Sequence, residues 1–112
     1  GYIKSGKLRA LAVTSPKRQE LLPDVPAMAE FLPGYAANGW YGLVAPKGTP
    51  PDVVATLNKQ VNAALADPAM RKRFTDLGCE VFTGTPADFA RFIADETAKW
   101  AKVIKFANIK AD

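Results

Sequence analysis

Residues 8–13, Leu-Arg-Ala-Leu-Ala-Val, form a short and nearly continuous apolar run in a chain of 112 residues. Such a run suits a strand buried on both faces, hence a parallel sheet, although its length alone leaves a buried helical segment open. A strand of that kind needs neighbours on either side. Two other segments qualify: residues 39–45, whose glycines suggest a bulge or a close backbone approach, and residues 79–82. Three short strands are few for a doubly wound sheet. The sheet is therefore expected to be completed by chain outside this sequence or by a second copy.

The remaining sequence is punctuated for helices. Gly1-Tyr2-Ile3-Lys4-Ser5-Gly6 reads as the tail of a helix closed by Gly6 in the left-handed conformation. Pro26 is placed to open a short helix over residues 27–31, which Pro33-Gly34 stops. Thr49-Pro50-Pro51-Asp52 carries a capping signature, with the Thr49 hydroxyl expected on the Asp52 N–H. Val53, Leu57, Val61 and Leu65 then recur every four residues as one apolar stripe. Asp67-Pro68 starts a second helix with Met70, Phe74 and Leu77 on one face, closed by Gly78. Thr85-Pro86-Ala87-Asp88 repeats the cap before the longest helix. There Phe89, Ile93, Trp100 and Ile104 form the core stripe and Phe92 and Val103 widen it. The predicted order is β-α-β-α-α-β-α.

Composition narrows the chemistry. The chain has no histidine, which excludes Ser-His-Asp and Cys-His catalysis and His-based metal sites within it. A single cysteine, Cys79, excludes an intrachain disulfide and a cysteine-cluster zinc site. With no histidine as its base, Cys79 is expected to be a buried structural residue. Most acidic residues fall at helix caps or on solvated faces, and Asp95 and Glu96 point about 100° apart on a helix, a poor acid–base pair. Phosphate-cradling glycine motifs are absent. No enzyme, no metal and no cofactor is expected. The net charge of +4 favours an acidic partner, but the basic residues are dispersed and lack interleaved aromatics, so nucleic acid is not expected; Arg71-Lys72-Arg73 reads as a solvated helix face. No apolar run approaches the ~20 residues that cross a bilayer.

Ligand binding by backbone groups is the more plausible chemistry. In open α/β sheets ligands sit beyond the carboxyl ends of strands, the place that Thr14 and Ser15 occupy after the first run. If Pro26 is the first helical residue, Val25 is the N-cap and the N–H groups of residues 27–29 are free for an anion or for Asp24. If Asp24 is itself the N-cap, the segment is simply a well-capped helix. Trp40 and Tyr41 either line a cleft or fill a core, the latter being favoured.

The ordered set of these segments resembles a known family. Residues 6–15 (Gly-Lys-Leu-Arg-Ala-Leu-Ala-Val-Thr-Ser), Arg18, residues 22–30 (Leu-Pro-Asp-Val-Pro-Ala-Met-Ala-Glu), residues 40–46 with Gly48-Thr49-Pro50, Leu77-Gly78, Thr85-Pro86, Phe89, Glu96 and residues 100–105 are similar to the Bug-type solute receptors of tripartite tricarboxylate transporters. No single motif is specific, and Ala27 departs from the threonine common there. The resemblance implies an α/β, periplasmic-binding-protein type II-like fold, here incomplete, with parts of two Rossmann-like lobes. Residues 1–38 would end the second lobe, and residues 39–112 would supply a hinge strand and the C-terminal helices returning to the first. It further implies a longer parent with a signal peptide, a periplasmic location, membrane transporter subunits as partners, and a small organic acid, a di- or tricarboxylate or similar, as ligand. Thr14, Ser15, Asp24, Val25 and Pro26 are the expected ligand-binding positions. The alternative is a stand-alone α/β interaction domain that homodimerises through sheet edges.

Overall fold

The computed structural model describes residues 1–3 and 5–110. Its elements are a 3-10 turn, Met28–Glu30, and three helices: α1 (Pro51–Ala66), α2 (Pro68–Asp76) and α3 (Pro86–Phe106). The chain divides into two compact units, Gly1–Val44 with Arg71–Val81, and Ala45–Met70 with Phe82–Asp112.

The helices form where their caps are written. Asp67 accepts the Met70 N–H at 2.9 Å and starts α2. Thr85 and Asp88 make a reciprocal capping box on α3: the Asp88 N–H donates to Thr85 Oγ1 at 3.1 Å, and the Thr85 N–H donates to Asp88 Oδ2 at 3.0 Å. The C-terminal end of α2 closes through Gly78, which holds φ 79°. Its N–H donates to Thr75 O at 2.8 Å, and the Cys79 N–H reaches back to Phe74 O at 2.9 Å, the paired bonds of a Schellman closure. Asn108, at φ 50°, closes α3 the same way, with Ile109 N–H on Ile104 O at 3.1 Å. Gly6 is left-handed as expected and its turn carries the same two bonds, onto Ile3 O and Tyr2 O. The expected helical tail runs through Lys4, which lies outside the described residues.

The start of α1 differs from the sequence reading. Its N-cap is Pro50, so Pro51 is the first helical residue, and the Thr49 hydroxyl donates to Pro46 O at 2.8 Å instead of accepting the Asp52 N–H. The reason is steric: Pro51 pushes Pro50 out of the helical region, to ψ 140°, and that sets the boundary one residue later.

The expected strands differ more. None of the described residues forms a strand, and residues 39–45 and 79–82 are irregular. Of the first run only Val13 pairs, in an isolated parallel bridge with Ala27. The predicted strand order is therefore not realised, and the homodimer reading has no sheet edge to rest on among these residues. A strand exists only where a second backbone supplies its donors and acceptors, and apolar composition does not supply them. The bridge does have the beginnings of a sheet. Val13 N–H donates to Pro26 O and Met28 N–H to Val13 O, both at 2.9 Å, while Ala37 N–H donates to Thr14 O at 3.0 Å. Successive residues thus bond to segments on opposite sides, as in an interior strand.

Packing follows from this. Among the described residues Ala27 alone is buried, at the bridge. The stripes of α1 and α3 are half-buried at Val61, Leu65, Phe89 and Ile93, and exposed at Val53, Leu57, Phe92, Trp100, Val103 and Ile104. Tyr41 is 95% exposed and Trp40 40%, so neither fills a core here. Cys79 is exposed as well, against the expectation of a buried residue.

Within the second unit, α1 is tied to the entry of α3 through Gly84. Its carbonyl oxygen accepts from Nδ2 of both Asn58 and Asn62, each at 2.9 Å. No helix among the described residues is long and apolar enough to cross a membrane.

Candidate functional site

The five residues expected to bind ligand all lie in the first unit, on the chain that leaves the bridge at Val13 and returns at Ala27. Val13 N–H holds Pro26 O, and the parallel register of the bridge carries Thr14 and Ser15 on alongside Met28 and Ala29, with Val25 and Pro26 on the side of Leu11 and Ala12. Thr14 is exposed, and its hydroxyl oxygen is distinct from the carbonyl that takes the Ala37 N–H. The Ser15 hydroxyl donates to Lys17 O at 2.8 Å, which fixes the turn that follows. The Val25 N–H donates to Leu22 O at 3.0 Å. Asp24 is exposed at the outer part of this segment.

Two of the three N–H groups expected to be free for an anion, those of Ala27 and Met28, are taken within the protein. The N-cap of the 3-10 turn is Ala27, neither Val25 nor Asp24. The Ala27 N–H donates to Glu30 Oε1 at 2.8 Å, and the Met28 N–H is taken by Val13 O. Both donors are used inside the protein. The missing N-cap hydroxyl leaves half of a capping box: Glu30 reaches back to the Ala27 N–H, and alanine has no oxygen to return.

Sequence reading missed the organiser of this segment, the pair Arg18 and Glu30. The guanidinium meets the carboxylate as a fork, Nε to Oε1 and Nη2 to Oε2, both at 2.8 Å, and Nη1 donates to Pro23 O at 3.1 Å. Glu30 is held down to a pKa of about 2, first by the hydrogen bonds from Arg18 and then by the Ala27 N–H; the same pairing raises Arg18. The sequence signal was that Arg18 and Glu30 flank a proline-rich loop and both belong to the pattern that carries the resemblance, which does not by itself identify them as partners.

Among the described residues no group of histidine, cysteine, aspartate or glutamate side chains is arranged to hold a metal ion. The site offers hydroxyls, backbone amides and carbonyls, and one carboxylate at Asp24. Such a set binds and orients; it does not assemble a nucleophile with a base.

The profile of the tripartite tricarboxylate transporter family receptor matches residues 1–109. The chain belongs to that family. It is 40% identical over 110 residues to Protein BugT of Bordetella pertussis, covering 97% of this chain and 34% of that protein. A UPF0065 protein of Bordetella bronchiseptica is 38% identical over 109 residues, again covering 97% of this chain and 32% of the relative. Two solved structures superpose on the fold. The periplasmic binding protein BugD gives a TM-score of 0.82 at 40% identity, over 99% of this chain and 38% of that one. R. palustris Rpa4515 with adipate gives 0.81 at 38% identity, over 96% and 36%. This receptor-family chain thus spans about a third of the length of the relatives it matches. The backbone agrees with periplasmic binding proteins even where strands are not paired, and family and fold are those of solute receptors, not of enzymes.

Proposed function

We propose that this chain is part of an extracytoplasmic solute receptor that binds a small carboxylate-bearing metabolite for a tripartite tricarboxylate transporter. The observation that carries the reading is the superposition, over nearly the whole chain, on a periplasmic binding protein and on a relative whose structure holds adipate. In this reading residues 1–38 end one lobe and residues 39–112 lead back to the other. Thr14, Ser15, Asp24, Val25 and Pro26 face the ligand. The Thr14 hydroxyl supplies a donor to a carboxylate, the Ser15 hydroxyl, whose proton goes to Lys17 O, offers its oxygen as an acceptor, and Asp24 discriminates between ligands by charge, repelling a second carboxylate and accepting from a hydroxyl or amine. The protein works in the periplasm and delivers its solute to membrane subunits.

Isothermal calorimetry tests this on the protein as its gene encodes it, with adipate, succinate and citrate as probes. Saturable binding of at least one is expected. A folded protein that binds none of them overturns the reading.

A further inference from the structure

We infer that Arg18 and Glu30 are positioning residues for the binding segment, holding Asp24, Val25 and Pro26 in place against the bridge from which Thr14 and Ser15 emerge; this rests on the receptor reading above. The segment between Val13 and Ala27 leaves the bridge and comes back to it. Its own hydrogen bonds are local: Ser15 to Lys17, Leu22 to Gln19, Val25 to Leu22. They shape turns but do not fix where the loop sits. Arg18 does. One planar side chain on the outgoing limb reaches Pro23 O at the loop's far part and both oxygens of Glu30 past its return. Glu30 in turn holds the N–H of Ala27, the residue of the bridge. The two side chains therefore connect two points of the loop, Arg18 and Pro23, to the bridge residue Ala27.

Exposure decides what this connection is for. The two side chains are 47% and 41% accessible, and ion pairs that open to water add little to global stability. Their effect lies in conformational freedom. A loop that must be ordered when ligand arrives lowers affinity by the entropy of ordering, and a loop already tied does not. A lysine at position 18 keeps the charge but cannot make the fork and the carbonyl bond together.

The test is calorimetric titration of the full-length protein and its Arg18→Lys, Arg18→Met, Glu30→Gln and Arg18→Met/Glu30→Gln variants with the tightest-binding of adipate, succinate and citrate, alongside thermal melts. The single variants at Arg18 are expected to weaken binding about tenfold, the size of ordering about one residue. Their melts should stay cooperative and above the titration temperature. The double variant should lose no more affinity than Arg18→Met alone, because the two residues act as one device. Unchanged affinity in Arg18→Met overturns the inference while leaving the receptor reading intact. So does additive loss in the double variant, or unfolding of every variant, which would make the pair a prop of the fold. If the unaltered protein binds no probe, the receptor reading fails and the inference with it.

Discussion

Asn62 and Gly84 exchange two hydrogen bonds, side-chain amide against backbone: Asn62 Nδ2 donates to Gly84 O at 2.9 Å, and the Gly84 N–H donates to Asn62 Oδ1 at 3.3 Å. The asparagine amide here does what a neighbouring strand would do, offering one donor and one acceptor to a peptide unit. Asn58 supplies a second donor to the same carbonyl, and Asn62 Nδ2 also reaches Asn58 Oδ1 at 3.2 Å. Replacing Asn62 by Ala removes both bonds and should cost about 1 kcal/mol of stability. Asn58→Ala should cost less, because Gly84 O keeps its bond from Asn62. Denaturant melts of the two variants measure the order; equal or reversed losses would contradict this account.

The capping box at Thr85 gives a second prediction. Its hydroxyl accepts the Asp88 N–H and also donates to Asp88 Oδ2 at 2.6 Å. Thr85→Ala should destabilise by about 1 kcal/mol, whereas Thr85→Ser, which retains the oxygen, should cost only a few tenths. Far-UV circular dichroism through the melt reports it, since α3 is the longest helix.

Helix positions were legible because their signals are local. Asp67 caps its own helix three residues on, Gly78 closes it, and Pro86 follows a cap that needs nothing beyond Asp88. The strands were not legible in the same sense. Residues 8–13, 39–45 and 79–82 have the composition of buried strands, but a strand is a property of two backbones, and only Val13 finds a partner. The candidate site falls between these cases. The proline spacing placed a short helix over residues 27–31, but the structure has only a 3-10 turn, Met28–Glu30, there, and Ala27 became its N-cap because the bridge to Val13 fixes that residue in extended geometry. Arg18 and Glu30 meet across twelve residues, beyond any local rule.

Cys79 supplies a prediction from a corrected expectation. It follows Gly78 and is exposed. Iodoacetamide should label this chain without denaturant, and Cys79→Ser should leave the melt within about 0.5 kcal/mol of the parent, as surface substitutions do. Labelling that requires unfolding would place the thiol in a core after all.

The last prediction concerns acid. Glu30 has its pKa lowered from 4.5 to about 2 by Arg18 and the Ala27 N–H. A carboxyl whose folded value is depressed stabilises the folded state fully above its unfolded value, and that contribution is lost as pH falls from about 4.5 through about 2. Asp88, lowered chiefly by the Thr85 hydroxyl, and Glu96, lowered first by Lys99, act in the same direction. Stability should therefore decline across this acid window, by a small amount because the Glu30 and Asp88 carboxyls are open to water. Glu30→Gln should narrow the decline, and the gap between that variant and the parent should close as pH approaches 2. A carbon-detected NMR titration of the Glu30 carboxyl locates the group directly. Its midpoint should lie near 2 in the parent and move up toward 4.5 in Arg18→Met, in which only the Ala27 N–H remains to hold it down. A midpoint indifferent to Arg18 would mean that the fork is not formed in solution.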